Sequence, residues 1–243
     1  MNAAEDKVLV VTADDFGASP GINRGIVEGH THGVVTSTSL MVRGAACREA
    51  TELARAHPEL AIGLHWDLDG EGEPYVDFED ARAVTLELEA QLARFEALMG
   101  RPPTHLDSHH HVHQRPEIAP VAGALARRTG LHLRGTGAVT FVGGFYGQWE
   151  WQVTDLEHVS VEFLTWILRN EVTTGATELG CHPGYIDPSF QSVYLHEREA
   201  ELATLTDPRI RQELQALGIR LVSFAQLSAA LGSKMIGGPA ASP

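Results

Sequence analysis

The run KVLVVTADD, residues 7–15, is apolar and largely β-branched until it stops at two aspartates. An aliphatic run without alternation marks a strand covered on both faces, as strands of parallel sheets are. Similar runs recur as TSTSLMV, LAIGLHW, THLDSHHH, LHLRG, TELGCHPG and IRLVSF, and helical patterns separate them. Pro20 and the spacing of Ile22, Ile26 and Val27 predict a helix that closes near Gly33. AACREATELARAHP stops at Pro58, and VTLELEAQLARFEALMG ends on Gly100. Further helices are expected over PEIAPVAGALARRTG, EHVSVEFLTWILRNEV, the region 196–216 and the segment after IRLVSF. About seven alternations of strand and helix leave two architectures, a doubly wound sheet or a (β/α) barrel. The expectation is an α/β chain folded as a single-domain TIM-like barrel, incomplete if anything. In either architecture the functional residues sit at the carboxyl ends of the strands.

With 243 residues, 43% of them hydrophobic, the chain can bury one sizeable core, and 1–235 reads as one domain. Residues 236–243 read as a disordered tail. The formal net charge is −14 and no basic run is present, which argues against a nucleic-acid partner. VLVV is too short for a signal peptide or a membrane span. Cys47 and Cys181 are far apart and suit a reducing, cytoplasmic compartment. Cys181 beside His182 is a ligand, a nucleophile or, more plainly, a small buried hydrophobe.

The chemistry concentrates at predicted strand ends. HLDSHHHVH places five histidines and an aspartate within residues 105–113. In an extended strand Asp107, His109, His111 and His113 share one face, and Leu106, Ser108, His110 and Val112 the other. Along such a strand His109 and His113 lie about 13 Å apart, so one ion takes one of these imidazoles and the others touch substrate or support the ligands. Asp14 and Asp15 are too close to ionise together without a cation nearby. A metal on Asp15 resolves that conflict and leaves Asp14 as a base; the plainer reading has one aspartate capping the turn at Gly17. His65 ends the third strand, and with Asp15 and a histidine of the 105–113 run it completes an open N/O metal site of hydrolytic type. His182, before a Pro-Gly turn, suits a general acid or a brace for that turn. His30 and His32, at the end of the first predicted helix, read as structural.

Taken together, TADDFGASPGINRGIVEG, GVVTSTSLMV, LAIGLH, GRPPTHLDSHHHVH and HPGY resemble the YdjC-like carbohydrate deacetylase family. The resemblance covers most of the chain, and TADDFG together with HLDSHHHVH is its specific part. It implies a distorted (β/α) barrel and a divalent metal held by Asp15, His65 and His109. It also implies Asp14 as general base, His182 as general acid, and Arg134 as the residue that orients the base or binds substrate. The loop after His65, WDLDGEGEPYVDFEDARA, is shorter and more acidic than the family pattern, which reduces the lid there.

The reaction so implied is hydrolysis of an N-acetyl group on an amino sugar. Two imidazoles and a carboxylate suit zinc, cobalt or manganese, and the resemblance also allows magnesium. His111, His113 and Arg134 become substrate contacts, and Trp66 and Tyr185, which adjoin site residues, become a sugar platform. FVGGFYGQWEWQ reads as a substrate loop or as a subunit contact in a homodimer. A metal-dependent phosphoesterase and a non-catalytic metal- or sugar-binding relative are the rival readings.

Overall fold

Strand β1 (Lys7–Phe16) shows why this chain curls a sheet around itself. Val8 and Val10 join one apolar cluster with Ala61, Val139, Ala176, Val222, Phe224 and Leu227, while Leu9, Val11 and Ala13 join the larger one beneath the helices. Successive residues thus alternate between the interior of the curl and its helical coat. On the interior face Thr12 and Asp14 follow the two valines toward the carboxyl end, so the curl has an apolar floor and a polar mouth.

The structure is a computed structural model that describes residues 6–231 apart from 71 and 189. The expected domain end at 235 and the tail 236–243 lie outside the described residues. After β1 come α1 (Pro20–Thr31), β2 (Ser37–Leu40), α2 (Cys47–Ala56), β3 (Ala61–Trp66), α3 (Ala81–Met99) and β4 (His105–Ser108). There follow α4 (Ala119–Thr129), β5 (His132–Leu133), β6 (Val139–Val142), α5 (Val161–Asn170) and β7 (Gly175–Cys181). The chain then forms α6 (His196–Leu205), α7 (Pro208–Ala216), β8 (Ile219–Leu221) and α8 (Phe224–Leu231).

All strand pairs are parallel, in the order β5-β4-β3-β2-β1-β7-β6, with β8 paired to β1. The path is open, with β5 and β6 at its two ends. Yet no helix separates them in sequence: six residue steps join Leu133 to Val139, a reach of about 20–22 Å at most. Such a short tether between opposite edges of a sheet requires the sheet to curl. Side chains then bridge the gap, with the Arg134 guanidinium 4.8 Å from the Phe141 ring centre and the His111 ring 5.3 Å from it. The result is the incomplete barrel expected from the alternation of elements, distorted as the family resemblance implies.

Two local expectations fail. The glycine- and aromatic-rich segment read as loop begins inside β6, whose Val139 and Val142 are buried. The strand through HLDSHHH ends at Ser108, and His109–Gln114 forms a 3₁₀ segment in which His110 (φ 49°) and His111 (φ 51°) are left-handed. The period-two grouping of Asp107, His109, His111 and His113 therefore does not hold beyond Asp107. Gly100, by contrast, takes the expected left-handed position after α3 (φ 69°).

No helix among the described residues is long and apolar enough to cross a membrane.

Candidate active site

Adjacent residues of a strand face opposite ways, so a device is needed for Asp14 and Asp15 to serve one mouth. It is a bulge. β1 pairs with β2 as Thr12 with Ser37 and Ala13 with Thr38, and then Phe16 pairs with Leu40, one residue late. Asp15 takes a left-handed backbone (φ 70°), uncommon for a residue with a side chain. The turn that follows is served by Asn23, whose Oδ1 accepts the Gly17 N–H at 2.7 Å. Neither aspartate is therefore spent as the side-chain cap of that turn.

Asp15, His65 and His109 converge. The Asp15 Oδ1 atom lies 3.3 Å from His65 Nε2 and 3.2 Å from His109 Nδ1, and one donor atom from each of the three residues falls within a 4.8 Å cluster. Ligands held at 2.0–2.1 Å around a tetrahedral ion are about 3.3 Å from one another, so the donor set fits a cation. His109 takes this position where the strand ends, directly after the extended Ser108, and the left-handed His110 and His111 then turn the chain away. Arg198 donates from Nη2 to Asp15 Oδ2 at 2.6 Å and leaves Oδ1 toward the imidazoles. Burial alone would raise the Asp15 carboxyl, but Arg198 and hydrogen bonds from His109 and His65 hold it well below the usual carboxylate range.

The field at this point favours positive charge. His65 also meets Asp107 Oδ1 through Nδ1 at 2.7 Å. Burial pushes its imidazole down, yet Asp107 and Asp14 outweigh burial and raise it well above the ordinary histidine range. A carboxylate behind a ligating imidazole fixes its tautomer and strengthens it as a donor. Asp14, His65 and Asp107 form a second close trio, but the Arg134 guanidinium already sits among its carboxylates and supplies the cation there.

Arg134 is wholly buried. It donates to both oxygens of Asp14, at 2.6 and 2.8 Å, and to Glu178 Oε1 at 2.9 Å, and it pairs with Asp107 Oδ2 at 2.9 Å. Burial raises the Asp14 carboxyl; Arg134 more than offsets this and holds it below its ordinary value. Of the two roles considered for Arg134, substrate contact is thereby corrected: the guanidinium is enclosed by carboxylates and holds Asp14 through both of its oxygens.

His182 follows β7 with its Nε2 3.8 Å from Asp14 Oδ2. Tyr146 and Tyr194 stand edge-on to its ring at 5.5 and 5.7 Å. Its backbone N–H donates to Glu201 Oε2 at 2.5 Å, and its Nδ1 lies 3.8 Å from Glu201 Oε1, which also accepts the Tyr194 hydroxyl at 2.5 Å. The His-Pro-Gly turn is thus pinned from behind by α6. Asp14, Asp15, His65, His109, His111 and His182 all line one cavity of about 500 Å³. None of the described residues 67–80 lines it, although Asp69 meets His110 on the wall at 3.1 Å.

Other expected contacts are corrected. Trp66 is wholly buried on the helix side of β3, where its Nε1 donates to Leu88 O, so it cannot stack on a sugar. His113 faces away from the cavity, its ring nitrogens engaged by Ser108 Oγ at 2.6 Å and the Arg134 carbonyl at 3.2 Å. Tyr185 donates its hydroxyl to Glu28 at 2.5 Å, off the cavity wall. His111 does line the cavity, and burial pushes it down to about 4, so it stands there neutral. His30 meets the Val35 carbonyl, as a structural residue should. Cys181 is buried, its Sγ against Thr12 O, and burial raises its thiol well above the usual range, so it is inert.

Sequence reasoning missed Arg198, Glu201 and Tyr194. Arg198 and Glu201 are three apart on α6, a spacing that puts them on one helix face and reads as a solvated ion pair. Nothing local marks them as buried; only the seating of α6 against the mouth does.

An open parallel barrel with an Asp-His-His cluster and a flanking carboxylate at its carboxyl mouth defines the class of a hydrolytic α/β barrel. A family model described as YdjC-like protein matches residues 8–216. The chitooligosaccharide deacetylase of Serratia marcescens is 35% identical over 260 residues, spanning 91% of this chain and all of that protein. The protein of the same name from Yersinia pestis bv. Antiqua (strain Angola) is 35% identical, over 90% of this chain and 98% of its own. Among solved structures, a putative cellobiose-phosphate cleavage protein from Enterococcus faecalis V583 superposes with a TM-score of 0.75 at 28% identity, covering 92% of this chain and 99% of that one. A structure described as T48 deacetylase with substrate shares the fold, with a TM-score of 0.57 at 18% identity. The chain belongs to the YdjC-like family.

Proposed function

We propose that this protein is a carbohydrate N-deacetylase that removes an acetyl group from an amino sugar, an oligosaccharide or a glycolipid and releases acetate. The observation that carries the reading is the meeting of Asp14, kept ionised by Arg134, with His182 beside the Asp15–His65–His109 cluster in one cavity. The names of the Serratia and Yersinia relatives agree with it. Asp15, His65 and His109 would hold one divalent ion, zinc or magnesium with cobalt or manganese also suited, which supplies Lewis acidity and lowers the pKa of a water from about 16 toward 7.

The chain's own groups do the proton work. Asp14 takes a proton from the water whose oxygen adds to the acetyl carbon. His182 gives a proton to the amide nitrogen as the C–N bond breaks, so the products are acetate and a free amine. Glu201 and the two tyrosines hold the His182 ring at that station, and His111 offers a neutral imidazole to the substrate.

A phosphoesterase would need unpaired cations in the cavity to meet a phosphate. Arg134 and Arg198 are each consumed by carboxylates, which disfavours that reading. A disabled relative would not need an ionised base and a braced imidazole side by side. The free, buried Cys47 and Cys181 suit a reducing compartment, and the cytoplasm is the location we expect.

The test is acetate release from N-acetylglucosamine, its oligomers and acetylated glycolipid analogues, with and without chelator and with each of the four metals restored. Acetate that appears only with metal supports the reading. Phosphate release from phosphorylated sugars, without acetate from any substrate, decides against it.

A further inference from the structure

Asp15 is the one carboxylate of the Asp15–His65–His109 cluster, and its two oxygens have different fates. Oδ1 faces His65 Nε2 and His109 Nδ1, whereas Oδ2 accepts from Arg198 Nη2 at 2.6 Å. Arg198 reaches in from α6, 183 positions along the chain, and is only 3% exposed. Its other nitrogens are engaged as well. Nε donates to Tyr194 O at 3.0 Å and Nη1 to His182 O at 3.4 Å. The stem is confined too: a Cβ on Gly184 would stand 3.3 Å from Arg198 Cδ, and the Gly184 N–H donates to Arg198 O at 3.2 Å. A planar guanidinium held at all three nitrogens keeps one orientation, and swinging it off Asp15 would separate two buried charges.

Asp15 therefore offers a cation one oxygen rather than two, and much of its charge is answered from behind before the cation arrives. Asp15 is the carboxylate that Arg198 touches, while Glu201 acts on the guanidinium from farther off. What remains toward the ion is a single carboxylate oxygen and two imidazoles. Calcium collects many oxygens, often both of one carboxylate, and magnesium also prefers oxygen; zinc and cobalt are well served by imidazole nitrogen.

We infer that Arg198 sets the metal preference of this site: by occupying Oδ2 it confines Asp15 to a one-oxygen ligand and turns the donor set away from oxygen-seeking ions, calcium above all, toward zinc-like ions. Arg198 is a positioning residue, acting on the ion through Asp15. The inference rests on the metal-holding reading of the cluster, and not on the identity of the substrate.

The intact chain, stripped with a chelator, is titrated with zinc and with calcium, each in competition with a metal indicator. The parent binds zinc far more tightly than calcium. In Arg198→Met, which keeps the stem without the donors or the charge, calcium binding tightens. The zinc-to-calcium affinity ratio falls by about tenfold or more, the scale on which partners of metal ligands act. Arg198→Lys, which keeps a charge and a donor for Oδ2, stays close to the parent ratio. If circular dichroism shows R198M unfolded, Arg198→Gln, uncharged and shorter, carries the same prediction. An unchanged ratio in the folded Met or Gln variant overturns the inference and leaves the metal reading standing. A ratio that falls as far in R198K as in R198M also overturns it, since general loosening of the site then explains both. A parent that binds neither ion defeats the metal reading and the inference together.

Discussion

Arg134 grips Asp14 through both carboxylate oxygens, Nη1 to Oδ2 at 2.6 Å and Nη2 to Oδ1 at 2.8 Å. The two residues lie 120 positions apart, and the fork joins the bulged end of β1 to the residue that follows β5. A bidentate pair fixes orientation as well as charge. Asp14 therefore meets the cavity as an anion in one set direction.

Replacing Arg134 by Leu strands the carboxylates of Asp14, Asp107 and Glu178 in the interior. Breaking a buried pair on one side costs about 3–5 kcal/mol. R134L should melt roughly 10 °C below the parent, at the few degrees per kcal/mol expected for a chain of this size. Thermal unfolding by circular dichroism measures it; a shift of a degree or less would mean that the guanidinium is not what neutralises this cluster.

Asp14→Asn keeps the shape and one of the two hydrogen bonds from Arg134 while removing the base. The variant should bind zinc like the parent, and its kcat for acetate release should drop by about 10²–10⁴. Undiminished turnover assigns the base elsewhere.

Asp107→Asn leaves Asp15, His65 and His109 in place but weakens the acceptor behind His65. Loss of such a support costs about 10–100-fold in metal affinity. Competition titration with a zinc indicator reads this directly, and an unaltered affinity would show that Asp107 serves Arg134 alone.

Glu178 provides a pH signature. Burial, partly offset by Arg134, pushes its carboxyl up to about 7, against 4.5 for an ordinary glutamate. Between those values the folded chain binds more protons at this site than the unfolded chain does, so stability falls as pH rises. Buried His113 and His132, pushed down to about 4, have the opposite slope below pH 6.5. The two contributions are separated by Glu178→Gln, which removes only the first. The stability of the variant relative to the parent should climb from pH 5 to 7, by roughly 1 kcal/mol per unit at the steepest. Parallel urea-unfolding curves across that range would refute it.

Much of this was legible from residue order alone. The apolar run into Asp14-Asp15, the histidine closing AIGLHW and the Gly100 stop each depend on local pattern, and each stands where that pattern put it. The HLDSHHHVH run misled because period-two reasoning assumes that a strand continues. Ser108 ends it, and His110 and His111 take a backbone that no pattern announces. Trp66 next to His65 looked like a site residue for the reason that excludes it: neighbours on a strand face opposite sides. Arg198 and Glu201 were invisible because their burial is a property of where α6 docks.

The seam between β5 and β6 has no backbone ladder, and what spans it is a guanidinium against a phenyl ring, with an imidazole alongside. The last stave of this barrel is therefore made in part by the guanidinium that holds Asp14. A chain that shed Arg134 would therefore loosen this edge of the barrel in the same step that released Asp14.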